Sequence, residues 1–435
     1  MNALAKELNE IIAKENPVVL DMLSDLGKNL FMPKGIVTQS AEAKEKAHKY
    51  NVTIGIATDK DGPMFLDSVY QCFTDMKPAD IFPYAPSSGK PELRKRWKEK
   101  IADDTPSLNA GFSLPVVTNA LTHGLKIVSD MFMNKGDTLV LPNMFWGNYR
   151  LTFSVIGGAE IATYNTFNEQ GGFDVDALLD KCRESAQING KITVILNFPN
   201  NPSGYSPTNS EAKAIAEGLI SIANNGTKVI AITDDAYFGL FYEDDIYPES
   251  LFGLLAGKSD NLLAVKLDGS TKEHFVWGLR VGFITFGATN SGDQSAMMGA
   301  LEKKVTGLIR GTISNCPHSS QSIMLKALNN TEFDAERAGK VQIMKGRAVS
   351  FKKALTQNNF TDQFEFYPFN SGYFMCLKLK KVDAEELRIY LLEKYGVGGI
   401  SINKTDFRLA FSCLDENDTE DLFKIIYQAC GELSK

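Results

Sequence analysis

Residues 191–237 read KITVILNFPNNPSGYSPTNSEAKAIAEGLISIANNGTKVIAITDDAY, and this stretch decides the architecture. Ile192–Phe198 is an almost unbroken apolar run, and Val229–Asp234 is a second. Such runs mark strands covered on both faces, as in parallel sheets. Between them the spacing predicts a helix over Thr208–Asn225. Thr208-Asn209-Ser210-Glu211 is a capping box, in which hydroxyl and carboxylate each take a free backbone N–H. Ala212, Ile215, Ala216, Leu219, Ile222 and Ala223 recur at three- and four-residue steps and make one buried stripe. Gly226 is the predicted stop. Strand, helix, strand in this order is a right-handed crossover between parallel neighbours.

Working outward, further strands are predicted at Val116–Asn119, Thr138–Pro142, Glu160–Tyr164, Leu262–Leu267 and Gly282–Phe286. With the first two they make a mainly parallel, seven-stranded α/β sheet flanked by helices. Ligands of such sheets sit beyond the carboxyl ends of the strands. The flanks differ. The start of the chain is helical and then irregular. The end reads strand Gly372–Lys378, helix Ala384–Tyr395, strand Phe407–Ser412 and helix Glu416–Gly431, an α+β pattern. The expected division is a large domain over 65–319 and a smaller one built from 1–64 and 320–435.

Composition narrows the class. Of the 435 residues 43% are hydrophobic and 23% charged, which excludes a disordered or low-complexity chain. A net charge of −7 with no basic cluster argues against nucleic acid as a partner. No apolar run approaches the roughly 18 residues of a membrane span, and Met1–Asn16 is amphipathic rather than signal-like. Six scattered cysteines without CxxC point to free thiols in a reducing cytoplasm. His48, His123, His274 and His318 show no metal-ligand spacing, so no metal is expected. No glycine-rich GxGxxG follows a strand, which removes a nicotinamide dehydrogenase. Gly253–Lys258 is one residue short of a phosphate loop, and no GxSxG elbow is present.

Five segments fall at strand ends or loops: Asn201-Pro202-Ser203-Gly204, Asp234-Asp235-Ala236-Tyr237, Ser270-Thr271-Lys272, Trp277-Gly278-Leu279-Arg280-Val281-Gly282 and Phe407-Arg408-Leu409. In this order and at these separations they resemble the fold-type I pyridoxal-phosphate enzymes, specifically the class I/II aminotransferases of aspartate and aromatic type. The resemblance runs from about residue 50 to the end and implies the PLP-dependent transferase fold. It implies that Lys272 forms the Schiff base with pyridoxal 5'-phosphate and shuttles the proton, and that Arg280, eight positions on, binds the phosphate. A partly buried lysine with a lowered pKa suits that work.

Asp234 competes with its neighbour Asp235. Strand alternation puts Asp234 on the face of Ile230 and Ile232, and the family pattern D-x-A-Y selects it with Tyr237. By resemblance its anion keeps the pyridine nitrogen protonated, while Tyr237 and Asn201 hydrogen-bond the ring oxygen. The strand Val116–Asn119 runs into a helix over Leu121–Phe132, and a helix N-terminus is an anion site. Ala120, Leu121 and Thr122 are the implied phosphate contacts, with Ser270 replacing the family's usual serine, since Gly269 stands there. His123, one residue on, is expected to cap or pack rather than catalyse.

The resemblance further implies that Trp146 stacks on the cofactor and that Gly55 lines the substrate pocket. Arg408 would bind the substrate α-carboxylate through its planar fork. Tyr84, in Tyr84-Ala85-Pro86-Ser87-Ser88-Gly89, would reach the phosphate of a neighbouring subunit. Arg310 would reach across to a side-chain carboxylate. The implied protein is a cytoplasmic homodimer with shared active sites. It would move an amino group by a ping-pong mechanism between an L-amino acid and a 2-oxo acid such as 2-oxoglutarate. Two alternatives stay open: a lyase or synthase of the same fold (C–S β-lyase or cyclopropane-forming), and a non-catalytic binding protein on this fold.

Overall fold

A computed structural model describes residues 1–33, 35–59, 62–289 and 294–434. Its main sheet has seven strands: β1 Val116–Asn119, β2 Thr138–Pro142, β3 Glu160–Tyr164, β4 Lys191–Asn197, β5 Lys228–Asp234, β6 Leu262–Gly269 and β7 Val281–Gly287. Their order across the sheet is β1-β7-β6-β5-β4-β2-β3. All neighbours are parallel except β7, which runs antiparallel to both β1 and β6.

Two apolar layers sandwich this sheet. Ile230 and Ile232 face one, and Val229 and Ala231 face the other, as alternation requires. The helix Asn209–Asn224 covers the second layer with the six residues of the predicted stripe, all buried. Its capping box forms: Thr208 Oγ1 accepts from the Glu211 N–H at 3.3 Å, and Glu211 Oε2 accepts from the Thr208 N–H at 2.8 Å. Each fully buried Ile or Leu of the stripe contributes about 1.5–3 kcal/mol. Gly226 then takes φ +96°, a left-handed turn at the predicted stop.

The C-terminal region forms a four-stranded antiparallel sheet from β8 Phe364–Phe366, β9 Phe374–Leu379, β10 Ile400–Ser401 and β11 Asp406–Ala410, ordered β8-β9-β11-β10. The N-terminal segment forms a separate two-stranded sheet with this region and makes one backbone bond to the four-stranded one. Tyr50–Asn51 pairs in parallel with Val397–Gly398, and the Ala410 N–H donates to the Val52 carbonyl at 2.8 Å.

Some ends differ from the sequence pattern. The expected strand Gly372–Lys378 begins at Phe374, because Gly372 turns at φ +72° against Pro199 and Gly204. The strand at Phe407 ends at Ala410 and passes into a 3-10 turn over Phe411–Cys413, where Ser412 Oγ donates to the Ile56 carbonyl at 2.7 Å. The helix from Ala384 is regular to Tyr390, then widens into a π turn over Leu391–Tyr395 that Gly396 ends at φ +64°. The last helix is Thr419–Leu433, preceded by a 3-10 turn. Among the described residues no helix is long and apolar enough to cross a membrane.

Candidate active site

A cavity of about 200 Å³ opens where β4, β5 and β6 end. Its floor is the start of the helix Ala120–Phe132, and its roof comes from the C-terminal sheet and the loop at Gly55. Eleven residues predicted from sequence line it: Gly55, Ala120, Leu121, Thr122, Trp146, Asn201, Asp234, Tyr237, Lys272, Arg280 and Arg408.

Lys272 sits on a short helix, Ser270–Glu273, that follows β6 directly. Its Nζ stands 5.2 Å from the centre of the Tyr237 ring and has no hydrogen bond or ion pair among the described residues. Burial pushes its ammonium down to about 8; Asp234 opposes the fall and Arg280 adds to it. Asp234, the last residue of β5, is 2% exposed. Burial raises its carboxyl to about 6, while the hydrogen bond from Tyr149 and the charge of Lys272 hold it down. Asp235 faces the opposite side, where it pairs with Lys266 and accepts from Ser250 Oγ at 2.7 Å.

Arg408 is 1% exposed, with its guanidinium 4.1 Å from the Phe374 ring centre. Nη1 donates to Asn201 Oδ1 at 3.1 Å and Nη2 to the Thr53 carbonyl at 2.9 Å. Nε has no partner, and among the described residues no carboxylate pairs with this charge. Leaving a buried guanidinium without an anion costs several kcal/mol unless a ligand supplies one. At the opposite end Ala120 and Arg280 both take left-handed backbone, at φ +60° and +55°. Such residues cost about 1–2 kcal/mol each and gather at functional sites. The helix start at Ala120 has no side-chain cap, so its N–H groups face the cavity beside Arg280.

The sequence model for "Aminotransferase class I and II" matches residues 48–426. The chain belongs to that family. An aspartate aminotransferase of Bacillus sp. (strain YM-2) is 23% identical over 322 residues, which is 74% of this chain and 75% of that protein. An aminotransferase structure from Anaerococcus prevotii superposes with a TM-score of 0.82 at 23% identity, covering 95% of this chain and all of that one. Thermus thermophilus aspartate aminotransferase with maleate has a TM-score of 0.73 at 18% identity, over 94% and 99% of the two chains.

Aminotransferases of this family use pyridoxal 5'-phosphate, and the cavity fits that group. Free helix amides and Arg280 suit a phosphate, a buried carboxylate suits a ring nitrogen, and Lys272 suits an aldehyde. Gly282 keeps the phosphate end compact, since a Cβ there would lie 2.8 Å from the Ala120 backbone.

Three predicted residues lie outside this aminotransferase's cavity. Ser270 is fully buried, and its Oγ has no partner. Tyr84 is 90% exposed. Arg310 is exposed at the end of its helix, donating to Ser314 Oγ at 2.7 Å. His123 accepts from the Asn119 N–H at 3.1 Å through Nδ1 and leaves the helix amides after it free.

Four lining residues escaped the sequence reading. Tyr149 donates to Asp234 Oδ2 at 2.6 Å. Its place three residues after Trp146, one helical turn on, was the available signal. Asn197 lies beside Asp234 in register; its Nδ2 donates to the Asp234 carbonyl and its Oδ1 accepts from the Asn201 N–H, both at 3.0 Å. Phe374 lies under Arg408, and Ile36 comes from the first turn of the helix Ile36–Lys46, before the family match begins.

Proposed function

We propose that this aminotransferase moves the amino group of an L-amino acid, of aspartate, glutamate or aromatic type, to a 2-oxo acid such as 2-oxoglutarate. The observation that carries this reading is the distribution of charge in the cavity. A buried, unpaired arginine faces the same space as a buried lysine of lowered pKa and a carboxylate of raised pKa.

Pyridoxal phosphate, when bound, supplies an electron sink and carries the nitrogen between the two half-reactions. The chain's residues do the rest. Arg408 receives the α-carboxylate and, with Asn201 and Thr53 holding its fork, fixes the substrate's orientation. Lys272 takes the proton from the substrate Cα, which its fall to about 8 makes feasible near neutral pH. Asp234, oriented by Tyr149, holds a proton on the ring nitrogen. Tyr237 and Asn201 serve the ring oxygen, and Trp146 covers the ring. Ala120, Leu121, Thr122 and Arg280 serve the phosphate, while Ser270, buried outside the cavity, drops out of that set.

The exposure of Tyr84 and Arg310 supports a homodimer in which both reach the partner's cavity. All six cysteines are free thiols, which supports a cytoplasmic home. The name of the Bacillus relative supports acidic substrates.

A panel of amino donors against 2-oxoglutarate tests the reading. Aspartate and aromatic donors should turn over, and Arg310→Ala should slow aspartate roughly tenfold more than phenylalanine. Equal slowing would remove the dicarboxylate assignment. Pyruvate release without transfer to the oxo acid would replace the transaminase with a lyase.

A further inference from the structure

Behind the turn that carries Lys272 lies a second, separate cavity of about 140 Å³. It is bounded by the helix Pro91–Asp104, the start of the helix Phe333–Gln357, and Glu273 with His274. Much of its charge is already matched. Lys100 pairs with Asp104 and, at 2.6 Å, with Glu273. Arg337 Nε donates to the Glu273 carbonyl at 3.1 Å.

Four polar groups are left over. His274 is 1% exposed, and neither ring nitrogen has a hydrogen-bond partner. Its nearest carboxylate oxygen, on Glu273, is 3.6 Å away. Trp97 and Phe333 clamp the ring edge-on, so it cannot swing to find another. Burial, with Lys100 and Arg337 near, keeps the imidazole neutral. Arg96 is half-buried, and Asp103 and Asp334 stand at the rim; none has an ion pair or hydrogen bond among the described residues. Asp103 also lies in the last turn of its helix, where the backbone dipole disfavours an anion and no basic residue offsets it.

A buried, unpartnered imidazole costs about 1–3 kcal/mol. The groups left over are one cation, two anions and one neutral donor–acceptor. Their complement is a molecule with one carboxylate and two cationic nitrogens. We propose that this cavity binds a free α-amino acid with a basic side chain. Its α-carboxylate meets Arg96, His274 bonds its polar head, and its cationic groups meet Asp334 and Asp103. At about 140 Å³ the volume is several times the roughly 30 Å³ of one water and so has room for an organic molecule. Glu273 forms one wall and is the residue after Lys272, so occupancy presses on the catalytic turn. The site stands whether or not the substrates proposed above are right.

Equilibrium dialysis of the holoenzyme with labelled L-lysine tests this, with labelled glycine as the ligand lacking the second cation. Beyond any binding in the Arg408 cavity, L-lysine should saturate one further site per chain and bind there more tightly than glycine. Arg96→Ala and Asp334→Asn should each weaken L-lysine by roughly tenfold. Both residues are free of partners in the fold, so neither change threatens folding. His274→Phe should abolish the same binding. No saturation by about 10 mM, equal binding of glycine and L-lysine, or binding untouched by both substitutions would each overturn the proposal.

Discussion

Tyr149 and Lys272 show how single side chains tune this cavity. Tyr149 donates one hydrogen bond to Asp234, and that bond is the largest influence holding the carboxyl down against burial. Tyr149→Phe should move the acid limb of the kcat profile upward by roughly one pH unit, because loss of one charge-assisted bond is worth about 1.4 kcal/mol or more. An unmoved limb would separate Asp234 from the rate. Lys272→Ala should leave a folded chain with no turnover.

The same residues cost stability. The pKa of Lys272 falls from 10.5 to about 8 on folding, so the unfolded chain binds the proton more tightly. Stability therefore rises with pH across that window and is lowest below it. In the cofactor-free chain Lys272→Met should raise stability at pH 7 by on the order of 1–3 kcal/mol and lose that gain above pH 10.5. Denaturant titrations at the two pH values read the difference.

At the scale of elements, the phosphate end depends on how closely β7 approaches the helix Ala120–Phe132. Gly282→Ala would place a methyl group 2.8 Å from the Ala120 backbone. The helix start must retreat from Arg280, and affinity for pyridoxal phosphate should fall about tenfold or more, since each charge-assisted bond carries 1.5–3 kcal/mol. Titration of the cofactor by absorbance measures this.

Most strands of the main sheet were legible because strands buried on both faces are nearly continuous apolar runs, and most ends fell within a residue or two. Residues such as Lys272, Asp234 and Arg280 were legible because they belong to ordered motifs. Asn197 was not, since its meaning lies in its register beside Asp234, and pairing across strands leaves no mark in either strand alone. Phe374 and the early end of the strand at Phe407 depend on contacts with Pro199, Gly204 and Ile56, all far away in sequence.

At the scale of the whole molecule, the pairing of Tyr50–Asn51 with Val397–Gly398 and the bond from Ala410 to Val52 support our proposed division into 65–319 and 1–64 with 320–435. Sharing between subunits gives a sharper test. If Arg310 serves the partner's cavity, mixing Lys272→Ala chains with Arg310→Ala chains creates one native site per hybrid dimer. Activity toward aspartate should then recover to roughly a quarter of the native value in an equal, random mixture. No recovery would place Arg310 outside the shared site.

Gly55 and Arg408 meet in the roof of one cavity although more than 350 residues separate them, and Val52 is held in place by Gly398 and Ala410. During synthesis the main sheet can close while the last strands are still inside the ribosome. The stretch around Gly55 must wait for the strand that carries Arg408, and only then does this cavity close.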